Sequence, residues 1–139
     1  MVKPEIVRRK ISEAATRLEK AEGILSRPPE EFLVDDKQQD LASFYLLLAI
    51  QECIDLAAHW ISDEGWDPPK EASSLFDVLA SRQAIDRDLA VGLRRAVALR
   101  NRIAHGYSSV DQERIQAEYQ AGVADLRRFL ALVANEAGL

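Results

Sequence analysis

The sequence contains a single cysteine, Cys53, so no disulfide can form within the chain. The absence of disulfides is typical of a reducing compartment, and we expect the protein to be cytoplasmic. The segment Met1–Lys10 carries charges but lacks the apolar core of a signal peptide. No apolar stretch reaches the roughly 18 residues that cross a bilayer, so we expect no membrane span.

Glycine and proline are also scarce, with only 6 and 5 residues among 139. No strand-like alternation of apolar and polar residues continues beyond a few positions, whereas long tracts without helix breakers favour helices. Apolar residues recur at helical spacing over about residues 4–26, 36–62, 74–82, 86–104 and 111–137. The pattern predicts an all-α fold, a compact antiparallel helical bundle of about five helices in one domain that covers residues 1–139.

Positive charge is in the minority, since 18 Lys and Arg stand against 23 Asp and Glu. The net charge of −5 argues against a protein that coats nucleic acid non-specifically. The arginines are unevenly distributed, however, and six of them lie between residues 82 and 102 beside only two aspartates. The fourth predicted helix can therefore attract a polyanion locally.

Arg100 lies on the apolar side of this fourth helix, on the same face as Leu93, Ala96 and Ile103. A charged side chain on a core-facing stripe is costly unless it is paired or opens into a cleft. Arg95 and Arg102 lie on other faces, where arginine is an ordinary surface residue. The structural alternative for Arg100 is a snorkelling side chain or a salt bridge to one of the many Asp and Glu residues.

His105 follows Arg100 closely and is one of only two histidines in the chain. It lies four residues after Asn101, so these two side chains share a face if the helix extends that far. Histidine can transfer protons near neutral pH, and arginine can bind two oxygens of a phosphate. A bend at the helix end would bring Arg100 and His105 to a single phosphate ester. The alternative is a histidine that merely caps the helix.

The order Arg100, four residues, His105, one residue, Tyr107 resembles the R-x4-H-x-Y signature of HepT-type toxins in the HEPN family. Asn101 directly after the arginine also fits the usual form of that motif. The second predicted helix, at residues 50–59, is similar to the family's second helix with its Gln, Asp and His. Residues 74–79, 93–107 and 110–111 resemble the segments that follow, so the resemblance covers nearly the whole chain in the right order.

The resemblance implies a homodimeric helical bundle whose two motifs shape a shared cleft near the dimer axis. It also implies the toxin of a toxin–antitoxin pair, a metal-independent endoribonuclease that needs no cofactor. An MntA-like nucleotidyltransferase antitoxin would neutralise this toxin by adding AMP to Tyr107. A modified Tyr107 would place negative charge and bulk where RNA enters.

Such a ribonuclease uses the 2′-OH of its RNA substrate as nucleophile, so it requires a proton shuttle and a group that stabilises charge on phosphate. The resemblance assigns the first role to His105 and the second to Arg100. Asn101 would support them by orienting His105 or the phosphate, and Tyr107 could stack on a base. The remaining candidates for RNA contact on the same helix are Arg94, Arg95 and Arg102.

Two alternative functions stay open at this point. The first is a non-catalytic HEPN module that binds a nucleotide or a partner protein, and the second is a helical adaptor in which Arg100 and His105 are only structural. Outside the motif, Asp55 and His59 are spaced as an i, i+4 pair. Because zinc usually takes three or four ligands, we predict a buried hydrogen-bonded pair there and no metal site. Cys53 is predicted to be a small core residue.

Overall fold

A computed structural model gives the fold of residues 3–106 and 110–139, the part of the chain described below. Within these ranges there are six α-helices and no strand. The helices are α1 (Pro4–Leu25), α2 (Pro29–Phe32), α3 (Asp36–Asp63), α4 (Leu75–Ser81), α5 (Arg87–His105) and α6 (Gln112–Glu136), with a 3-10 turn at Ala72–Ser74 before α4. The predicted all-α bundle is confirmed, and only the four-residue α2 was not predicted.

The long helix α3 lies at the centre of the bundle and packs against all the other long helices. Its C-terminal end meets the start of α1 and the end of α6, where Pro4 and Val133 lie around Trp60. At its other end, the start of α6 reaches α3 through a hydrogen bond from Gln112 to Ser43. Helix α1 is therefore antiparallel to α3, whereas α6 runs parallel to it.

The core is built from apolar side chains of every long helix and of α4, and it includes aromatic rings from α3, α4 and α6. Phe129 of α6 is fully buried and meets Phe76 of α4 edge to face, with ring centroids 5.2 Å apart. Trp60 of α3 also lies beside Phe129, at 6.3 Å between centroids. These contacts fix α4 and α6 against the central helix.

By length and mean hydropathy, α3 could cross a membrane, which differs from our expectation that no stretch is apolar enough. Half of its apolar window is buried inside the bundle, against the neighbouring helices. An apolar surface of this kind is what a central helix of a bundle requires.

Helix α5 carries the candidate site and is anchored at its start. Asp86 caps the helix by accepting a hydrogen bond from the backbone N–H of Leu89 at 2.7 Å, and it also pairs with Arg128 of α6. The Leu89 N–H and, next, Arg128 lower the pKa of Asp86 below its ordinary value. Further along, the absence of a side chain at Gly92 lets Asp125 of α6 approach the helix, because a Cβ there would lie 2.0 Å from Asp125 Oδ2.

Candidate active site

The buried stripe of α5 runs from Leu89 through Leu93 and Ala96 and leads to Arg100, which is half-buried. Its partner is the side-chain carbonyl of Gln51 on α3. Gln51 Oε1 accepts hydrogen bonds from Arg100 Nε at 3.1 Å and from Arg100 Nη2 at 2.6 Å. The salt bridge considered as an alternative does not form with any described Asp or Glu, so a neutral amide holds this cation.

Gln51 is held in turn by a second residue of α3. Its Nε2 donates to Asp55 Oδ1 at 3.0 Å, and Asp55 Oδ2 lies 3.4 Å from Lys10 Nζ on α1. Lys10 also lies 3.6 Å from Glu52 Oε2. A continuous polar chain therefore crosses three helices, from Lys10 through Asp55 and Gln51 to Arg100.

Asn101 supports Arg100 from the solvent side. Its Oδ1 accepts a hydrogen bond from Arg100 Nη1 at 2.6 Å. We expected Asn101 to orient His105 or the phosphate, but the partner found is the neighbouring arginine, and no Asn101–His105 hydrogen bond occurs among the described residues. A guanidinium has five N–H groups, so the contacts to Gln51 and Asn101 leave two for another acceptor.

His105 is the last residue of α5, and its side chain is exposed. Helix α5 stays regular through this residue and ends at Gly106, whose N–H donates to the carbonyl of Arg102 at 3.0 Å. The predicted bend between Arg100 and His105 is therefore absent. Five helical residues turn through about 140° beyond a full turn and rise about 7.5 Å, so the two side chains leave α5 in different directions.

Tyr107 lies outside the described residues. The three arginines proposed for RNA contact, Arg94, Arg95 and Arg102, are all exposed on α5. Arg94 pairs with Asp77 of α4, whereas Arg102 makes no ion pair with the described part of the chain. Arg102 is also the nearest of the three to His105 in sequence.

The predicted buried pair of Asp55 and His59 is wrong. Asp55 is half-buried and binds Gln51 and Lys10, because a cation from α1 and a neighbouring amide satisfy it better than a histidine one turn away. His59 instead lines a cavity of about 180 Å³ at the far end of α3, together with Trp60. No group of three His, Cys, Asp or Glu side chains suited to a metal ion occurs in residues 3–106 and 110–139.

Cys53 is fully buried in the core, as predicted. Burial raises the pKa of its thiol far above the ordinary value, and the neighbouring Glu52 carboxylate raises it further. Because the thiolate is the reactive form, Cys53 is an inert packing residue and no candidate nucleophile.

Comparison with known proteins identifies the family. Residues 11–133 match the sequence profile of the family described as "Ribonuclease HepT-like". The chain belongs to the HepT-like ribonuclease family. A protein of Archaeoglobus fulgidus named "Putative RNase" is 32% identical over 91 residues, which are 65% of this chain and 68% of the relative.

Solved structures with the same fold include members of toxin–antitoxin complexes. A tri-AMPylated HEPN toxin of Shewanella oneidensis, in complex with an MNT antitoxin, matches with a TM-score of 0.83 and 21% identity, over 94% of this chain and 97% of that one. A toxin–antitoxin structure with AMP-PNP matches with a TM-score of 0.87 and 21% identity, over 94% of this chain and 98% of that one. YutE of Bacillus subtilis, a cytosolic protein of unknown function, matches with a TM-score of 0.75 and 15% identity, over 93% of this chain and 89% of that one. These likenesses establish the HEPN fold of the bundle.

Proposed function

We propose that this protein is the ribonuclease toxin of a toxin–antitoxin pair and that the end of α5 is its active site. The observation that carries the proposal is the state of Arg100, a half-buried cation held by two neutral amides with two N–H groups left over. An exposed histidine, His105, ends the same helix. Membership of a ribonuclease family and the R-x4-H-x-Y order support the same assignment.

In the proposed reaction, the 2′-OH of the RNA attacks the adjacent phosphorus and the 5′-oxygen of the next nucleotide leaves. His105 takes the proton from the 2′-OH or delivers one to the leaving oxygen. Arg100 donates its remaining N–H groups to the phosphate oxygens, on which negative charge increases in the transition state. Since the RNA supplies its own nucleophile, this mechanism needs neither a metal ion nor a cofactor. Arg95 and Arg102, which are exposed on α5, would bind the flanking phosphates.

A homodimer would bring a histidine to Arg100, because Arg100 and His105 of one chain leave α5 in different directions. Leu41 and Phe44, near the start of α3, are 38% and 53% exposed, although they are large and apolar. Together with Leu48 and Gln51 they recur at three- and four-residue spacing, so they lie on the side of α3 that faces Arg100. A second copy packed on this apolar row would cover it and bring another His105 towards the cleft.

Regulation by an MntA-like nucleotidyltransferase in the cytoplasm completes the proposal. The antitoxin would transfer AMP to Tyr107, two residues beyond His105. The added phosphate would repel RNA from the cleft. The toxin–antitoxin complexes with a similar fold support this partner.

Expression in a bacterial host without the antitoxin tests the toxin assignment. We expect the natural protein to arrest growth and to reduce intact cellular RNA, while Arg100→Ala and His105→Ala relieve both effects and keep the helical circular dichroism spectrum. Matched controls are Arg9→Ala on the exposed face of α1 and His59→Ala at the far cavity, which should remain toxic. Growth without arrest by the natural protein, or toxicity retained in both site variants, would refute the assignment.

Intact-mass measurement tests the regulation. After co-expression with the cognate nucleotidyltransferase, the mass should rise by one or more AMP units, and Tyr107→Phe should prevent the increase. Tyr119→Phe, a half-buried tyrosine of α6, is the matched control and should still be modified. An unchanged mass with toxicity still blocked would show that the antitoxin acts by binding alone.

A further inference from the structure

We propose that Gln51 is a positioning residue for Arg100, a neutral acceptor that fixes the guanidinium without neutralising it. The inference rests on the proposed role of Arg100 in RNA cleavage. It assigns a function to a residue of α3 that lies 49 positions away from Arg100 in the sequence. The residue would act through the arginine and would make no contact with RNA itself.

The hydrogen bonds select one edge of the guanidinium. Nε and Nη2 lie on the same side of the planar group, and both donate to the single oxygen Gln51 Oε1. A carbonyl oxygen has two lone pairs, so it can accept both bonds. Asn101 accepts from Nη1 and stops the group from rotating away. The two N–H groups that remain are the donors available to a phosphate.

The orientation of the Gln51 amide is determined by its two neighbours. Arg100 can only donate hydrogen bonds, and an ionised Asp55 can only accept them. The amide therefore satisfies both residues in one orientation, with its oxygen towards Arg100 and its nitrogen towards Asp55. Lys10 holds the second oxygen of Asp55 from α1, so the orientation is supported by a third helix.

The neutrality of Gln51 matters because RNA is a polyanion. A carboxylate at position 51 would also hold Arg100, but it would cancel the positive charge that the phosphate requires. In the observed arrangement the carboxylate of Asp55 does not touch Arg100, because Gln51 lies between them in the hydrogen-bonded chain. Lys10 lies beside this carboxylate. The arginine is thus fixed by hydrogen bonds and keeps its charge for a ligand.

Nitrogen-15 NMR of the arginine Nε–H groups tests the positioning without any RNA. The Arg100 signal, assigned by its loss in Arg100→Lys, should exchange slowly with solvent in the natural protein. Gln51→Met keeps the length of the side chain and removes the acceptor, and we expect exchange at least about tenfold faster. Gln120→Met on the exposed face of α6 is the matched control and should leave the signal unchanged. Equal exchange in Gln51→Met and the natural protein would overturn the inference.

Cleavage kinetics then separate positioning from a general effect on the fold. Gln51→Met should lower kcat roughly 10- to 100-fold with little change in KM, because a misplaced donor stabilises the transition state poorly. In the Arg100→Ala background the same substitution should have no further effect. Gln51→Glu should keep the Arg100 Nε–H protected and still cleave RNA more slowly, since it neutralises the cation.

Additive effects of Gln51→Met and Arg100→Ala, or full activity in Gln51→Glu, would contradict the inference while leaving the ribonuclease assignment intact. Absence of RNA cleavage by the natural protein would instead refute the proposed function. The NMR comparison would then still decide whether Gln51 positions Arg100.

Discussion

Arg100 differs from the other paired arginines of the protein in the chemistry of its partner. Arg94, Arg114 and Arg128 each pair with a carboxylate on the exposed surface. Such surface pairs contribute little to the free energy of unfolding, and they offset the charge of the arginine. Arg100 is half-buried and bound by amides, so its charge remains available to a ligand.

We predict that RNA cleavage requires the planar guanidinium group of Arg100 as well as its positive charge. In Arg100→Lys the ammonium group keeps the charge, but it cannot bind Gln51 along one edge and a phosphate along another. We expect the rate of RNA cleavage to fall by roughly 10²-fold, with helicity and thermal stability close to those of the natural protein. Arg9→Lys is the control. Activity of Arg100→Lys near that of the natural protein would show that a point charge suffices.

Single residues were predictable from the sequence only where helical phase decides their environment. The phase of α5 distinguishes Arg100 from its neighbouring arginines. It cannot reveal Gln51 as the partner, because that contact depends on how α3 and α5 are aligned in the bundle. The same limit explains the wrong pairing of Asp55 with His59, since Lys10 comes from a helix 45 positions away in sequence. A narrow polar stripe on an apolar helix, with Gln51 and Asp55 in it, was the available signal.

Helix α5 connects stability with the proposed function, because the cap at its start stabilises the helix whose other end carries the candidate site. Asp86 accepts from the Leu89 N–H and pairs with Arg128 of α6. Periodicity predicted α5 to within one residue at each end, and the structure adds the cap. Helix α2 was not predictable in the same way, because four residues are too few to show a helical repeat.

Removal of this cap should destabilise the bundle in a pH-dependent manner. Asp86→Ala is expected to lower the Tm by a few degrees at neutral pH. Since the folded-state pKa of Asp86 is lowered, its stabilisation is present above the unfolded-state pKa of about 3.9 and is lost as the pH falls through the folded-state pKa. Thermal unfolding of both proteins should therefore show a difference that is largest near neutrality and shrinks below about pH 4. Asp86→Asn can still cap the helix, so its Tm should fall less than that of Asp86→Ala.

The whole molecule combines a net negative charge with a basic helix and an exposed apolar row. The charge of −5 argues against indiscriminate binding of nucleic acid, so the proposed binding of RNA would be local, at the arginines of α5. Leu41 and Phe44 on α3 provide an apolar surface on the side of that helix where Gln51 binds Arg100. The proposed homodimer brings these features together, and it accounts for the different directions of Arg100 and His105 within one chain.

Disruption of the apolar row should separate the proposed dimer. Phe44→Asp places a charge on this surface, and we expect the mass measured by light scattering to change from that of two chains to that of one. RNA cleavage should decline in parallel, because the cleft loses its second copy. Val91→Asp changes a similarly exposed apolar residue of α5 and should remain dimeric. A natural protein that is monomeric at micromolar concentration would contradict the dimer.

The central claim is that Arg100 and His105 cleave RNA through its own 2′-OH. The most direct measurement is the incubation of purified protein with a defined RNA in excess EDTA, followed by mass spectrometry of the product ends. We predict fragments with 2′,3′-cyclic phosphate and 5′-hydroxyl ends, no product from the His105→Ala variant, and no cleavage of the same RNA with a 2′-deoxy sugar at the cut position. Cleavage that requires a divalent metal ion, yields 5′-phosphate ends or persists in the 2′-deoxy RNA would contradict it.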